Sequence, residues 1–239
     1  MIDSTVRAFL MFRLGKQIDA KGDYRKRHYE IGEGTQCFVI TLLGASSIYG
    51  EGSDVDIPFA SDLVGQLLKQ GRKVSVHNLA VSGHKVADVA HKQVSQMEPS
   101  DLALVYAGTK DCLTLSPTKR YRADIQELAL ALQGQTVIWV TIGDPRLLWL
   151  FPIWLRWLFY FRAKSFTKLL KQVIAGHPNE QWQTVDFFTQ GMTEVKRRNL
   201  SARQIVSDGI HLSDAGQRLI GELVSQAAQP FVSSKTPSS

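Results

Sequence analysis

The chain has 239 residues, 44% of them hydrophobic and 21% charged, a balance that excludes a disordered or fibrous protein and supports one globular domain with a sizeable core. Its formal charge is +6 and its pI about 9.3, which favours anionic partners or a membrane surface without identifying either. Cys37 and Cys112 are the only two cysteines, so a disulfide framework and a cysteine-ligated metal are excluded, and a reducing compartment fits.

The amino terminus, M-I-D-S-T-V-R-A-F-L-M-F-R-L-G, is interrupted by Arg7 and Arg13 and lacks the continuous apolar core and cleavage site of a secretory signal. No stretch reaches the roughly 18 to 20 apolar residues needed to span a bilayer. The expectation is a cytoplasmic protein, soluble or peripheral to a membrane. Over residues 4–17, Val6, Phe9, Leu10, Arg13 and Leu14 fall at helical spacing and predict a short amphipathic helix. Lys21 to His28, with Lys21, Arg25, Lys26, Arg27 and His28, reads as a solvated basic linker. No nucleic-acid-binding motif accompanies it, so nucleic acid is not an expected partner. Residues 1–36 are thereby set apart from a domain over 37–230, and 231–239 reads as a disordered polar tail.

Cys37 to Gly50 reads C-F-V-I-T-L-L-G-A-S-S-I-Y-G, a mostly apolar run suited to a strand buried on both faces, as in parallel sheets. Small residues, Gly44, Ala45, Ser46 and Ser47, then permit a tight turn that holds a hydroxyl at the strand's carboxyl end, where open α/β sheets bind ligands. An ordinary strand-to-helix loop has the same composition. Phe59, Leu63, Val64, Leu67 and Leu68 mark a helix that Gly71 closes, and Lys73 to Leu79 is a second strand leading into N-L-A-V-S-G. A helix over Lys85 to Met97 ends at Pro99. Asp101 to Ala107 is a third strand running into G-T-K-D, a helix covers about Pro117 to Leu132, Thr136 to Ile142 is a fourth strand and Trp182 to Phe187 a fifth. The last helix spans about Ser213 to Ala228 with Ser213 as its cap. Strand and helix alternate throughout, predicting a three-layer α/β/α domain on a five-stranded, mainly parallel sheet. In the flavodoxin-like order 2-1-3-4-5, the loops after the first three strands converge, and they carry Ser46, Gly83 and Lys110.

A serine hydroxyl needs a base to remove its proton and a third group to orient that base. Among the six histidines, His28 lies in the basic linker, and His77, His84, His91 and His177 have no acid at a telling short spacing. His211 stands in S-D-G-I-H-L-S-D-A-G, three residues after Asp208, where an Asp-Gly turn can fold the carboxylate back to the imidazole. A plain turn before a capped helix has the same sequence.

Four blocks in order, G-A-S-S-I-Y-G at 44–50, N-L-A-V-S-G at 78–83, G-T-K-D at 108–111 and D-G-I-H at 208–211, resemble those of the SGNH hydrolases, also called GDSL-type esterases and lipases. That family carries G-D-S after its first strand, a glycine after its second, G-x-N-D after its third and D-x-x-H before its last helix. The resemblance covers about Val39 to Val224. It implies an SGNH hydrolase fold and an esterase with Ser46 as nucleophile, His211 as base, Asp208 as its orienter, and the Ser46 and Gly83 amides in the oxyanion hole, without metal or organic cofactor. Two positions depart from the pattern. Ala45 replaces the family's aspartate, and Lys110 stands where the family has the asparagine that completes the oxyanion hole.

Leu147 to Phe161, L-L-W-L-F-P-I-W-L-R-W-L-F-Y-F, reads as a helix apolar nearly all round, bordered by Arg162, Lys164, Lys168 and Lys171. It fits a core helix, a dimer contact, a lid, an acyl-binding wall or a lipid interface, with Trp154, Trp157 and Phe161 as the contact residues. The functional expectation is hydrolysis of an ester with an acyl chain or other apolar group. Its rivals are a catalytically lapsed domain that binds an acylated ligand or partner, and a flavodoxin-like module whose serine-rich loop binds phosphate or a cofactor.

Overall fold

The computed structural model describes residues 28–177 and 181–233. The helix expected over 4–17, the basic linker up to Arg27 and the end of the tail from 234 lie outside the described residues.

The mostly apolar run after the linker becomes the central strand β2 (Cys37–Gly44). It is flanked on both sides by parallel partners, β3 (Lys73–Asn78) and β4 (Leu102–Tyr106). With both edges paired and both faces covered, alternation gives way to continuous burial: Ile40, Leu42, Leu43, Val74, Val76 and all of β4 are buried. Beyond β4 come β5 (Val137–Val140) and β6 (Trp182–Val185), again parallel.

The sheet has six strands, one more than expected. The extra strand, β1 (His28–Ile31), pairs antiparallel with β3 at the sheet edge, with His28 opposite His77 and Ile31 opposite Val74. At four residues it is too short to show a period-two signal beside the basic run, so the sheet begins at His28 rather than Cys37. The full order is β1-β3-β2-β4-β5-β6; without β1 it is the order expected from the sequence, with the direction of winding reversing at β2.

The helices α1 (Ser46–Tyr49), α2 (Ser61–Lys69), α3 (Val86–Asp88), α4 (Thr109–Leu113), α5 (Thr118–Ala131), α6 (Ile153–Ala175), α7 (Met192–Arg197), α8 (Ala202–Ile205) and α9 (Asp214–Ser233) cover the sheet. α2 packs with α9, while α5 packs with α3 and α6, which gives the two outer layers. Ser213 caps α9 through its hydroxyl, which accepts from the Gly216 amide at 3.2 Å. α9 continues past Ala228 to Ser233, into the segment expected to be tail.

Two helices differ from the sequence pattern. The one expected over Lys85 to Met97 is divided into α3, a wide π turn at Val89–Gln93 and a 3-10 turn at Val94–Gln96. The stretch Leu147 to Phe161 is not one apolar helix. Pro152, with φ −54° and ψ 150°, stands immediately before α6, and the chain ahead of it forms a 3-10 turn at Pro145–Leu147. α6 is amphipathic: Leu155, Phe159, Ala163, Phe166 and Leu170 face the core, whereas Ile153, Trp154, Trp157 and Phe161 are 63%, 58%, 43% and 63% exposed.

Candidate active site

β2 ends on Gly44, whose φ of +150° and close approach to the Tyr106 carbonyl leave no room for a Cβ. Its peptide groups are held by Gln93: the side-chain Oε1 accepts from the Gly44 amide and Nε2 donates to the Gly44 carbonyl, both at 2.8 Å. The π turn swings Gln93 into this buried position. The same Nε2 lies 3.0 Å from His84 Nδ1, and burial pushes the His84 imidazole down, which suits an accepting nitrogen. After an extended Ala45, Ser46 opens α1, and Gly50 closes it in the left-handed conformation. The turn's carbonyls are tied from outside, Ile48 O by Asn78 Nδ2 at 3.2 Å and Ser47 O by Gln217 Nε2 at 2.7 Å. Such fixed backbone geometry holds the Ser46 side chain at the carboxyl end of the sheet. Ser46 is half-buried, whereas Ser47 is 7% exposed.

Gly83, in the loop after β3, has φ +77°, a left-handed turn that glycine adopts without strain. Among the described residues, neither the Ser46 nor the Gly83 amide donates to another backbone group. Following β4, Gly108 (φ +107°) starts α4, which carries Lys110. Asp111 is buried and its Oδ2 accepts from the Val86 amide at 3.1 Å, which ties α4 to α3. Burial pushes the Asp111 carboxyl up. Cys112 is no rival nucleophile, because burial raises its thiol to about 12.

His211 is buried and held by Asp208. Asp208 Oδ2 lies 2.7 Å from His211 Nδ1, and Oδ1 accepts from the His211 and Ile210 amides at 2.8 and 3.0 Å. Burial works to raise the Asp208 carboxyl, but the hydrogen bonds from the ring and the two amides outweigh it and hold the group well below the usual carboxylate range. A carboxylate on Nδ1 selects the tautomer with its proton there and turns Nε2 outward. Nε2 lies 3.0 Å from Glu51 Oε2. Glu51 follows the Ser46 turn directly, its amide donating to Ser46 O at 2.9 Å. Nothing in the spacing of Glu51 and His211 signals this contact, and sequence reasoning missed it.

Ser46, Gly83, Lys110 and His211 line one cavity, with Asp208 behind the histidine. An adjoining cavity shares Tyr106, Thr109, Leu113 and Ile210 with the first and extends to Leu148 and Phe187. The Tyr106 hydroxyl, on the wall common to both, accepts from the Gly143 amide at 3.3 Å. Trp154, Trp157 and Phe161 line neither of these two cavities: in α6 they are exposed and face away from the core, and the turn before Pro152 contributes Pro145, Leu147 and Leu148 to the second cavity. Among the described residues, no group of three or more His, Cys, Asp or Glu side chains could hold a metal ion.

Comparison with known proteins bears on this arrangement. The GDSL-like Lipase/Acylhydrolase family matches residues 42–219. Among solved structures, a lipase/acylhydrolase from Enterococcus faecalis superposes with a TM-score of 0.60 at 22% identity, over 81% of this chain and 96% of that one. An acetylxylan esterase from Geobacillus stearothermophilus gives 0.59 at 18%, over 82% and 95%. The psychrotrophic esterase EstA from Pseudoalteromonas sp., in a structure inhibited by monoethylphosphonate, gives 0.56 at 18%, over 82% and 98%. No match is found among curated proteins. At these identities the structures speak for the fold, while the family match spans most of the chain, including all four sequence blocks: the chain belongs to the GDSL-like lipase/acylhydrolase family, that of the SGNH hydrolases.

Proposed function

We propose that the protein is a serine hydrolase that cleaves a carboxylic ester through an acyl-enzyme on Ser46. The observation that carries this reading is the convergence of Ser46, Gly83, Lys110 and His211 on one cavity, with the Asp208 carboxylate 2.7 Å from the far nitrogen of His211. In the first step Ser46 Oγ adds to the ester carbonyl while His211 Nε2 takes its proton, and the negative oxygen faces the Ser46 and Gly83 amides and Lys110. As the intermediate collapses, the C–O bond to the alcohol breaks and His211 returns the proton to the departing oxygen. Water then repeats the sequence on the acyl-enzyme and releases the acid. Neither step requires a metal or an organic cofactor.

The adjoining apolar cavity supports an acyl or other apolar group as one half of the substrate. The esterase and lipase names of the structural neighbours agree with an ester substrate. A fluorophosphonate probe should label the wild-type chain on the peptide containing Ser46, and Ser46→Ala should lose the label while melting at the same temperature. Labelling that persists in Ser46→Ala, or is lost only in Ser47→Ala, would reject Ser46 as the nucleophile.

Glu51 gives the reading a second test. While Nε2 is paired with Glu51 it cannot accept the Ser46 proton, so the pair must part before acylation. Glu51→Gln removes the carboxylate charge from this pair, and should label faster than wild type with the same probe. Slower labelling would mean that the carboxylate assists the base.

A further inference from the structure

We infer that the outward face of α6 docks the protein on an anionic membrane surface. Trp154, Trp157, Phe161, Lys164 and Lys168 recur at spacings of three and four, so they form one stripe along the helix. All five are exposed. The aromatic residues occupy the amino-terminal half, with exposed Ile153 beside them, and the lysines the half that follows. At 1.5 Å per residue the stripe is about 20 Å long.

Exposed aromatic side chains are unusual in such a cluster, and these are organised with one another rather than scattered. Trp157 packs against Tyr160 and Phe161 at 5.4 and 6.2 Å between ring centroids. Arg146 lies over Trp157 and Tyr160, 5.2 and 4.2 Å from the centroids. A contiguous apolar patch of this kind marks a contact surface.

Charge selects the occupant. α6 carries Arg156, Arg162, Lys164, Lys168 and Lys171 and no carboxylate. Arg156 and Arg162 donate to main-chain carbonyls of Trp149, Phe151 and Ser116, and Lys171 pairs with Asp186 at 2.6 Å. Among the described residues Lys164 and Lys168 have no ion-pair partner. Tryptophan and phenylalanine beside unpaired lysines match the boundary between acyl chains and anionic headgroups, where rings bury their apolar bodies and ammonium groups reach phosphate. No described helix is long and apolar enough to cross a membrane, so the contact is peripheral. The turn that carries Arg146 also lines the apolar cavity through Pro145 and Leu147, which places the docking face next to that cavity.

The test is flotation of the full chain with vesicles. Wild type should float with equimolar phosphatidylcholine and phosphatidylglycerol, and less with phosphatidylcholine alone. Each lysine replaced by alanine should lower partitioning onto the anionic vesicles by about five-fold, an effect that shrinks at high salt. Trp154→Ala with Trp157→Ala should lower it further while leaving the melting temperature and fluorophosphonate labelling unchanged, since both side chains lie outside the core and the cavities. Failure of wild type to float with anionic vesicles overturns the proposal. So does a dimer in sedimentation that the tryptophan variants dissolve, because the face would then belong to a second copy of the chain.

Discussion

Asp208→Asn should lower turnover of a short-chain ester by about 10⁴ with little change in KM, the loss seen when the orienting acid of a serine protease is made an amide. The reason lies in the three bonds Asp208 accepts. Its Oδ1 is occupied by the His211 and Ile210 amides at 2.8 and 3.0 Å, so the asparagine would keep its carbonyl there and turn its NH₂ toward His211 Nδ1. That nitrogen must then accept, which forces the ring proton onto Nε2, and a protonated Nε2 cannot take the proton of Ser46. Fold and substrate cavity stay the same. A second readout separates this from damage to the turn. Because the folded-state carboxyl of Asp208 is held below its ordinary value of about 3.9, it contributes stability above that pH and loses the contribution as pH falls through the folded value. Asp208→Asn should therefore lower the melting temperature at neutral pH and narrow the gap from wild type in acid. Undiminished turnover in the variant would remove Asp208 from the catalytic arrangement.

The difference between what the sequence makes legible and what it hides follows from how each residue reaches the cavity. Ser46, Gly83 and Lys110 stand just past the carboxyl ends of parallel strands, and His211 just before the last helix. Strand ends can be read from local apolar runs, and a parallel sheet brings those ends together without further information. The order β3-β2-β4 then puts the three loops side by side. Gln93 and Glu51 give no such signal. Gln93 reaches Gly44 only because the π turn rotates its side chain inward, and a helical pattern alone places it on an unremarked polar position. Glu51 meets His211 across a sequence separation that no short motif spans. β1 is hidden for a different reason: four residues at an edge, with alternating burial, produce almost no periodic signal. Pro152, by contrast, carries a local signal. A proline inside an apolar run marks a helix start, and it is the apolar run around it that invites reading one uniform helix where there are a turn and an amphipathic one.

Lys110→Ala should lower turnover by about 10² to 10³, the loss typical of one missing oxyanion donor, and Lys110→Asn should retain a substantial part of the wild-type rate. Lys110 lines the cavity with Ser46 and Gly83, and the resemblance of the G-T-K-D block to the family's G-x-N-D implies that it stands for that block's asparagine. Its main chain is fixed: Gly108 sets the turn after β4, the Lys110 carbonyl accepts from the Thr114 amide at 2.9 Å and hydroxyl at 2.8 Å, and the neighbouring Asp111 anchors α4 to α3. An asparagine amide is a short, neutral donor, whereas lysine brings three donors and a full charge on a flexible stem. A charged donor gives a stronger hydrogen bond to an oxyanion in a water-poor site, but more side-chain freedom must be lost to place it. Lysine in the role that the resemblance gives to asparagine therefore trades rigidity for charge. The dependence on substrate distinguishes the two contributions: a loss in turnover with KM unchanged marks a donor used in the transition state, and a rise in KM alone marks ground-state binding. Equal rates for wild type and Lys110→Ala would show that the side chain takes no part, leaving the Ser46 and Gly83 amides as the whole oxyanion hole and favouring a domain that binds an acylated ligand over one that turns it over.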